Sequence, residues 1–487
     1  MTILNPRLVP RPLPALCLLL AACASTDKPK TQIEAQDEPF DLDGSAGLGD
    51  PYYPMAGNGG YDVEHYNIEL VVDVEAGSIV GETSIFARAT QDLRSFHLDL
   101  FGFEVASVRV DGSLVEFERE GSELIISPAK ILPADDVFRV SVAYSGVPSL
   151  VPDPSVAAMG LKGVGWIAKP KGIHVISEVQ GAEGWFPCNN HPSDKATFTF
   201  LVQVPAPYVV AANGLLVSGS EDDSGRAYRW EMRDPMATYL ATINIGEFAL
   251  RKEVGPGGIP LRLYYPKDAT EAELEPFART TELIDFFTEC FGPYPFDCFG
   301  GVLSAENFGG ALETQTLPVY SRRTSESTVA HELAHMWFGD SVSPAQWKEI
   351  WLNEGFAVYS EWLWHEHLDG PEALFARAKH AYQTSKRAKF GSPHDPGIER
   401  VFGGAVYVRG ALVLDALRRE VGDEIFFEIL QDWVREFGGG TADTQQFIEL
   451  SEKVANRELD DLFDSWLYAA GVPNAALFED EPAGDEG

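Results

Sequence analysis

The residues with the clearest chemical potential lie in the run VAHELAHMWFGD, residues 329–340. On an α-helix His331 and His335 lie on the same side, because residues four apart are neighbours on the helix surface. Two neutral imidazoles in this arrangement can hold one metal ion, and Zn²⁺ suits such ligands. A catalytic zinc keeps three protein ligands and one open position, so the pattern predicts a third ligand elsewhere in the chain.

Glu354, in the segment WLNEGFAVYSEWLW, is the candidate for that third ligand. Residues 336–353 separate it from His335, which is enough chain to turn and to place a second helix beside the first. Glu332 directly follows the first histidine, where a carboxylate can act as general base on a water molecule at the metal. Type and spacing together therefore predict a hydrolytic metal site.

The chain that must position these residues has two parts with different periodicity. Between residues 61 and 250, segments such as HYNIELVVDV alternate apolar and polar residues, which predicts short antiparallel strands. Between residues 251 and 475, helical periodicity prevails and includes both candidate metal-binding segments. We predict an α+β multidomain fold, in which an N-terminal antiparallel β-domain (61–250) precedes a mainly helical catalytic domain (251–475).

The N-terminal residues predict a targeting signal. Arg7 and Arg11 precede an apolar run that ends at Cys23, and this run is shorter than the roughly 20 apolar residues that span a bilayer. The quartet LAAC resembles the bacterial lipobox, in which the cysteine is lipidated after cleavage. We therefore expect a signal peptide (1–22), a lipid on Cys23 and a flexible tether (23–60), which place the protein in the bacterial cell envelope as a membrane-anchored lipoprotein, periplasmic or surface-facing. An ordinary secretory signal is the alternative.

The composition narrows the classes of partner. The formal net charge of −37 excludes nucleic acid, because a phosphate backbone would be repelled. The acidic end, residues 476–487, is expected to be a disordered tail. Cys188, Cys290 and Cys298 imply no complete disulfide framework, and the sequence leaves open whether Cys290 and Cys298 pair or stay free.

The motifs resemble those of one enzyme family. HELAH followed at this spacing by the glutamate of WLNEGF is similar to the M1 zinc metallopeptidases, which include aminopeptidase N and leukotriene A4 hydrolase. GWFPCNNHPSDKATF (184–198) and FGPYPFD (291–297) agree, and the resemblance covers about residues 60–475. It implies a thermolysin-like catalytic domain with one Zn²⁺ per chain. Because the chain ends soon after WLYAAGVP, we expect a short form without the C-terminal helical domain of long members.

The resemblance also assigns roles. His331, His335 and Glu354 correspond to the zinc ligands and Glu332 to the general base, while Tyr407 in YVRG corresponds to the tyrosine that donates to the oxyanion. The implied activity is that of a zinc aminopeptidase, which hydrolyses the N-terminal bond of peptides with a free N-terminus. A zinc endopeptidase of the same fold and a non-catalytic peptide-binding lipoprotein are the alternatives.

A second group of residues is implied to bind the substrate's α-amine. GALET (310–314) is similar to the family's GAMEN, so that Glu313 corresponds to the amine-binding carboxylate and Gly310 and Ala311 to the backbone beside the substrate. Glu178 corresponds to the residue that shares the amine. Glu306 in SAENF retains a Glu-Asn pair and is the alternative to Glu313.

Overall fold

The computed structural model describes residues 42–223 and 225–478. The predicted signal peptide, Cys23 and residues 479–487 of the predicted tail lie outside the described residues. Twenty-two strands are present in the described chain. They are β1 Tyr61–Asp73, β2 Ser78–Ala89, β3 Phe96–Asp99, β4 Glu104–Val110, β5 Ser113–Leu114, β6 Glu116–Glu120, β7 Glu123–Ser127, β8 Val137–Gly146, β9 Gly165–Lys169, β10 Gly172–Ile176, β11 Lys195–Val204, β12 Val209–Ala212, β13 Leu215–Asp222, β14 Gly225–Ala237, β15 Ile243–Gly246, β16 Phe248–Val254, β17 Pro260–Pro266, β18 Phe299–Leu303, β19 Ala311–Leu312, β20 Val319–Tyr320, β21 Ser343–Pro344 and β22 Thr441–Ala442.

The α-helices concentrate in the second half of the described chain. They are α1 Pro154–Ala157, α2 Glu271–Leu274, α3 Thr280–Phe291, α4 Glu326–Ala334, α5 Trp351–Asp369, α6 Pro371–Ala388, α7 Gly410–Val421, α8 Asp423–Phe437, α9 Thr444–Ala455 and α10 Asp460–Phe463. None of the helices in residues 42–223 and 225–478 is both long and apolar enough to cross a membrane.

The N-terminal region is built on an eight-stranded sheet with the order β13-β14-β11-β1-β2-β8-β4-β5. Alternation of apolar and polar residues along β1 buries one face of the strand, as a half-buried strand requires. A bulge between Val63 and His65 changes the phase of this alternation, so that Val63 and then Tyr66 and Ile68 all point into the core. The aromatic rings of Tyr66 and Phe198 stack with centroids 4.8 Å apart beneath the parallel pair β1 and β11.

A second sheet links this region to the helices. Its five strands have the order β16-β17-β18-β20-β19, and α3 to α9 follow or interrupt them in the chain. Because β16 begins at Phe248 and pairs with β17, the change of sheet comes just before the border that the sequence places at residue 250. The domain limits 61–250 and 251–475 stay predictions.

Residues 42–60 contradict the predicted tether. Asp50, Tyr53, Ala56 and Asn58 are all buried, and the backbone N–H of Asn58 donates to the Asn189 side chain at 2.6 Å. The prediction of a flexible tether is therefore wrong for this part of residues 23–60. Its Gly- and Pro-rich composition is used in turns that let a few apolar and acidic side chains dock on the body of the protein.

The start of the predicted tail is also ordered. Residues Ala476–Phe478 form a 3₁₀ turn, and Phe478 is buried against the rings of Phe375 and Tyr382. Arg419 lies over the same Phe478 ring at 5.4 Å. Although residues 476–487 are acidic in composition, Phe478 packs on α6. The prediction of disorder is therefore wrong for residues 476–478.

Candidate active site

Two helices bring the predicted metal ligands together. Helix α4 begins after Ser325, whose side chain accepts the N–H of Thr328, and ends at Ala334, so that His335 stands at its C-terminal cap. Glu354 lies in the first turn of α5. Its Oε2 atom is 3.1 Å from Nε2 of His331 and 3.5 Å from Nε2 of His335. The three donor atoms that the sequence indicates therefore face one another.

The other nitrogen of each histidine has an acceptor. Nδ1 of His331 donates to Glu361 Oε1 at 2.8 Å, and Nδ1 of His335 donates to the carbonyl of Phe338 at 3.0 Å. Since an acceptor holds a proton on Nδ1, the neutral imidazole presents its Nε2 lone pair to the site. A donor set of two such nitrogens and one carboxylate fits Zn²⁺, with His331, His335 and Glu354 as the residues that would hold it.

Glu361 is a residue of the candidate site that the sequence reasoning missed. It lies about two helical turns after Glu354 on the same helix, so both carboxylates face α4. The signal was present in NEGFAVYSE, where a second glutamate follows the ligand at that spacing. Carboxylates that orient a metal-binding histidine commonly contribute to metal affinity.

Burial and mutual attraction set the proton affinities of the ligands. Burial alone would lower the pKa of His331, but its hydrogen bonds to Glu354 and Glu361 raise this pKa well above its usual range. Burial would raise the pKa of Glu354, and its hydrogen bonds with His331 and His335 instead hold it far below its usual range. A cation is thus favoured at this position, and a proton occupies the histidine when no metal does.

Glu332 lies beside the triad and points into the same space. Its carboxylate, that of Glu313 and the ring of His335 each place one donor atom within 4.8 Å of the others. Burial raises the pKa of Glu332 to about 8, although His331 and His335 oppose this shift. A buried carboxylate with this proton affinity is well suited to accept a proton near neutral pH.

Tyr407 reaches the site from a π-helical turn, Ala405–Arg409. Its hydroxyl donates to Glu354 Oε1 at 2.7 Å, and its ring lies parallel to that of His331 at 6.1 Å. Arg409, two residues later, points away from the metal ligands and is buried. Its guanidinium donates to the carbonyls of Gly391 and Ala469, both at 2.7 Å, and thereby fixes the π-helical turn.

A group of carboxylates completes the site on the opposite side. Glu178, Glu313 and Glu354 each place one oxygen within 4.8 Å of the others. Glu178 and Glu313 are both buried, and the Oε1 atom of each has no hydrogen-bond partner among the described residues. Burial first, and then the neighbouring carboxylates Glu313 and Glu354, raise the pKa of Glu178 well above its usual range.

The structure separates the two glutamates between which the sequence left a choice. Glu313 follows β19 and lies in the carboxylate group, whereas Glu306 is half-exposed in the preceding loop and joins no metal-binding cluster of the described residues. Gly310 is exposed and its carbonyl accepts the N–H of Ser321 at 3.0 Å, while Ala311 begins β19. Gly310 therefore lies just before the short strand Ala311–Leu312, and that strand leads directly to Glu313.

Lys195, in the motif at residues 184–198, secures the turn behind the second histidine. Its Nζ donates to the carbonyls of Asp340 at 2.7 Å, Ser341 at 3.0 Å and Gly440 at 3.2 Å. A lysine ammonium has three N–H donors, and all three find backbone acceptors here. The N-terminal region thus holds the segment that leaves His335.

Comparison with protein-family models gives two matches. Residues 62–240 match the peptidase M1 N-terminal domain and residues 280–466 match the peptidase family M1 domain. Together these stretches make up more than half of the chain. The chain belongs to the M1 peptidase family. The prediction of an N-terminal β-domain followed by a mainly helical peptidase domain is confirmed.

Relatives of this M1 peptidase include the aminopeptidase M1 of Arabidopsis thaliana and the leukotriene A-4 hydrolase of Xenopus laevis. The first is 25% identical over 84% of the chain and the second 24% identical over 85%. The chain spans about half the length of the Arabidopsis protein, 50%, and 72% of the length of the hydrolase.

Solved structures include a similar protein of nearly the same extent. The M1 zinc metallopeptidase from Deinococcus radiodurans superposes with a TM-score of 0.82 and is 29% identical, and the match covers 88% of this chain and 99% of that one. A mutant of the Deinococcus protein has been solved with a bound Tyr-Ser-Ala substrate, and it is 30% identical to this M1 peptidase.

Proposed function

We propose that this M1 peptidase is a zinc aminopeptidase that removes the N-terminal residue of peptides. The observation that carries the proposal is the pair of buried carboxylate oxygens, on Glu178 and Glu313, that lack a partner beside the metal triad. A buried carboxylate without a partner is costly, and a cationic ligand offsets that cost with charge-assisted hydrogen bonds. The α-ammonium of a peptide is such a cation.

The same proposal places one Zn²⁺ in each chain, held by His331, His335 and Glu354. When bound, Zn²⁺ supplies Lewis-acid chemistry that polarises a carbonyl group and makes water more acidic. The partnered Nδ1 atoms of both histidines support this assignment, because a proton held on Nδ1 makes Nε2, which faces Glu354, the nitrogen that would coordinate the metal.

The residues of the site then have three separate roles: binding the α-ammonium, transferring a proton and stabilising developing charge. Glu178 and Glu313 bind the α-ammonium and so fix which carbonyl lies beside the metal ligands. Glu332 takes a proton from the attacking water and returns it to the leaving amine. The Tyr407 hydroxyl, which donates to Glu354 in this structure, turns to the carbonyl oxygen and stabilises the charge that develops there.

The substrate class follows from the carboxylate pair and from the related structure. The Deinococcus relative binds a tripeptide with the sequence Tyr-Ser-Ala, and we infer that short peptides with a free N-terminus are substrates here too. The fold and the triad serve an endopeptidase equally well, so the dependence on the amine distinguishes the two activities.

A comparison of matched peptides tests this function. Purified enzyme is given Tyr-Ser-Ala with a free or an acetylated N-terminus, and release of the first residue is measured by chromatography. We expect turnover of the free peptide and a loss of at least about 100-fold on acetylation, because the acetyl group removes the charge that the two carboxylates bind. Similar rates for both peptides would make the enzyme an endopeptidase.

We also propose that Cys23 carries a lipid and holds the enzyme on a membrane of the bacterial cell envelope. The support is the LAAC quartet after a short apolar run. Acyl chains contribute about 0.8 kcal/mol for each buried CH₂ group, so a multiply acylated cysteine would anchor firmly. Cell fractionation tests the proposal, since the Cys23→Ser variant should leave the membrane fraction; retention there at the wild-type level would contradict it.

A further inference from the structure

The chain segment just before the family-model match contacts two segments that lead into the candidate active site. We call residues 50–53, Asp-Pro-Tyr-Tyr, the strap. The strap precedes residue 62, where the match to the M1 N-terminal domain begins. Asp50 is 2% exposed and Tyr53 4% exposed, so these two strap residues are part of the protein core.

Asp50 binds the chain that leads into the zinc-ligand helix. Its Oδ2 accepts the backbone N–H of Trp347 at 2.8 Å, and Trp347 opens the 3₁₀ turn that runs directly into α5. The same oxygen lies 3.3 Å from Nε2 of His191, whose Nδ1 accepts the N–H of Ser193, so Nε2 is the donor. One carboxylate oxygen thus joins the N-terminal region to the first turn before Glu354.

The other oxygen of Asp50 shapes the strap itself. Its Oδ1 accepts the N–H groups of Tyr52 at 2.8 Å and Tyr53 at 3.0 Å. Burial alone would raise the pKa of Asp50, but hydrogen bonds from His191 and from the Trp347 backbone lower it. The carboxylate is therefore ionised, and its acceptor capacity is used on both sides.

Tyr52 binds the loop that leads to the catalytic tyrosine. Its hydroxyl donates to Asp395 Oδ1 and accepts the N–H of Gly397 at 2.9 Å. Gly397 begins the 3₁₀ turn Ile398–Arg400, and the chain then enters the π-helical turn that carries Tyr407.

Tyr53 secures the strap between these two contacts. Its ring meets that of Trp347 edge to face at 6.3 Å, and its hydroxyl donates to Asp153 at 2.9 Å. Asp50 and Tyr52 of the strap thus hold two different segments. The segment that Asp50 binds leads to Glu354, and the segment that Tyr52 binds leads to Tyr407.

We propose that Asp50 is a positioning residue for Glu354 and that Tyr52 is a positioning residue for Tyr407. The inference rests on the proposed function, because it assigns these effects to zinc binding and to turnover. It predicts that losing one contact changes a different measured quantity from losing the other. A fault at Asp50 displaces a zinc ligand, whereas a fault at Tyr52 displaces only a group that acts during the reaction.

The first variant is Asp50→Asn. Asparagine keeps an oxygen for the strap amides but places an NH₂ group against the N–H of Trp347, where two donors cannot bond. We expect the zinc affinity of the metal-free protein, measured by competition with a chromogenic chelator, to fall about 10-fold, as loss of support behind a ligand does. Thermal unfolding of the same sample shows whether the variant is folded.

The second variant is Tyr52→Phe, which removes one hydroxyl and keeps the ring. We expect kcat on a free tripeptide to fall about 3- to 10-fold because Tyr407 is less well aligned, while zinc affinity stays at the wild-type value. The matched control for both variants is Asp43→Asn. Asp43 lies seven residues before the strap, and its carboxylate accepts hydrogen bonds from Arg94 and Ser95 in the N-terminal region. It should change neither quantity.

The outcomes separate the two levels of inference. Wild-type protein without peptidase activity or zinc binding would remove the proposed function. Active wild type with unchanged zinc affinity in Asp50→Asn and unchanged kcat in Tyr52→Phe would instead overturn the role of the strap alone. If Asp50→Asn fails to fold, the kcat of Tyr52→Phe decides, since a merely structural contact would lower the unfolding temperature without changing kcat.

Discussion

The metal-binding side of the site and its carboxylate side differ in how their polar atoms are satisfied. His331 and His335 each have an acceptor on Nδ1, and Glu354 interacts through both of its oxygens. Glu178 and Glu313, a few ångströms away, are buried with one oxygen each that has no partner among residues 42–223 and 225–478. Hydrogen bonds within the protein therefore preorganise the candidate metal ligands, whereas the carboxylate pair leaves two acceptor oxygens for the cationic ligand proposed above.

The largest effect is expected from changes on the metal side. Glu332→Gln keeps the shape of the side chain but cannot accept a proton, so turnover should fall by about 10²–10⁴-fold while bound zinc is retained. His335→Ala should lose both, because two protein ligands remain. Metal analysis alongside initial rates distinguishes the variants, and substantial activity in the glutamine variant would assign the base to another residue.

A smaller effect is expected on the carboxylate side. Glu313→Ala removes one charge-assisted hydrogen bond of about 1.5–3 kcal/mol, so kcat/KM should fall by about 10- to 100-fold, with a rise in KM and a drop in kcat. Zinc content should not change. Glu306→Ala is the matched control, and the comparison fails if this variant is the more damaged of the two.

The hydrogen bond from His331 to Glu361 provides a third test, in which zinc affinity is measured. Glu361→Gln weakens the acceptor of His331 Nδ1 and should lower zinc affinity by about 10-fold, with kcat at saturating zinc nearly unchanged. Chelator competition provides the affinity. Equal affinity in variant and wild type would show that the carboxylate does not act through the histidine.

The last expected effect is the dependence of zinc affinity on pH. Because the pKa of His331 is raised in the metal-free protein, this histidine carries a proton at neutral pH that zinc must displace. Zinc affinity should therefore rise with pH, by at most about tenfold per unit for one proton, and level off above the raised pKa. Calorimetry in two buffers of different ionisation enthalpy counts the protons released, and a count of zero at pH 7 would contradict the expectation.

The metal side was the more predictable of the two from sequence. Helical spacing predicts that His331 and His335 share one side of a helical segment. Glu354 follows in the first turn of the next α-helix, which lies against it. The choice between Glu313 and Glu306 depended on β19, a two-residue strand whose pairing with β20 turns Glu313 inward. So short a strand leaves no periodic signal, and only the folded sheet selects the glutamate.

The strap shows a different limit. It stands in a Gly- and Pro-rich stretch that has the composition of a linker. Asp50 and Tyr53 are nevertheless buried, because they contact residues far along the chain, such as Trp347 in the case of Asp50. Local composition cannot indicate such contacts. Glu361 was missed for a different reason. Its spacing from Glu354 was visible in the sequence, but its contact with His331 on another helix was not.

The three hydrogen bonds of Lys195 bear on how the protein unfolds. They cross from β11 to backbone carbonyls that lie just before β21 and just before β22, so separating the regions would break all three at once. We therefore expect the β-rich half and the helical half not to unfold independently, although the family models divide the chain between them. Heating should consequently melt both halves in one cooperative transition, with matching calorimetric and van't Hoff enthalpies.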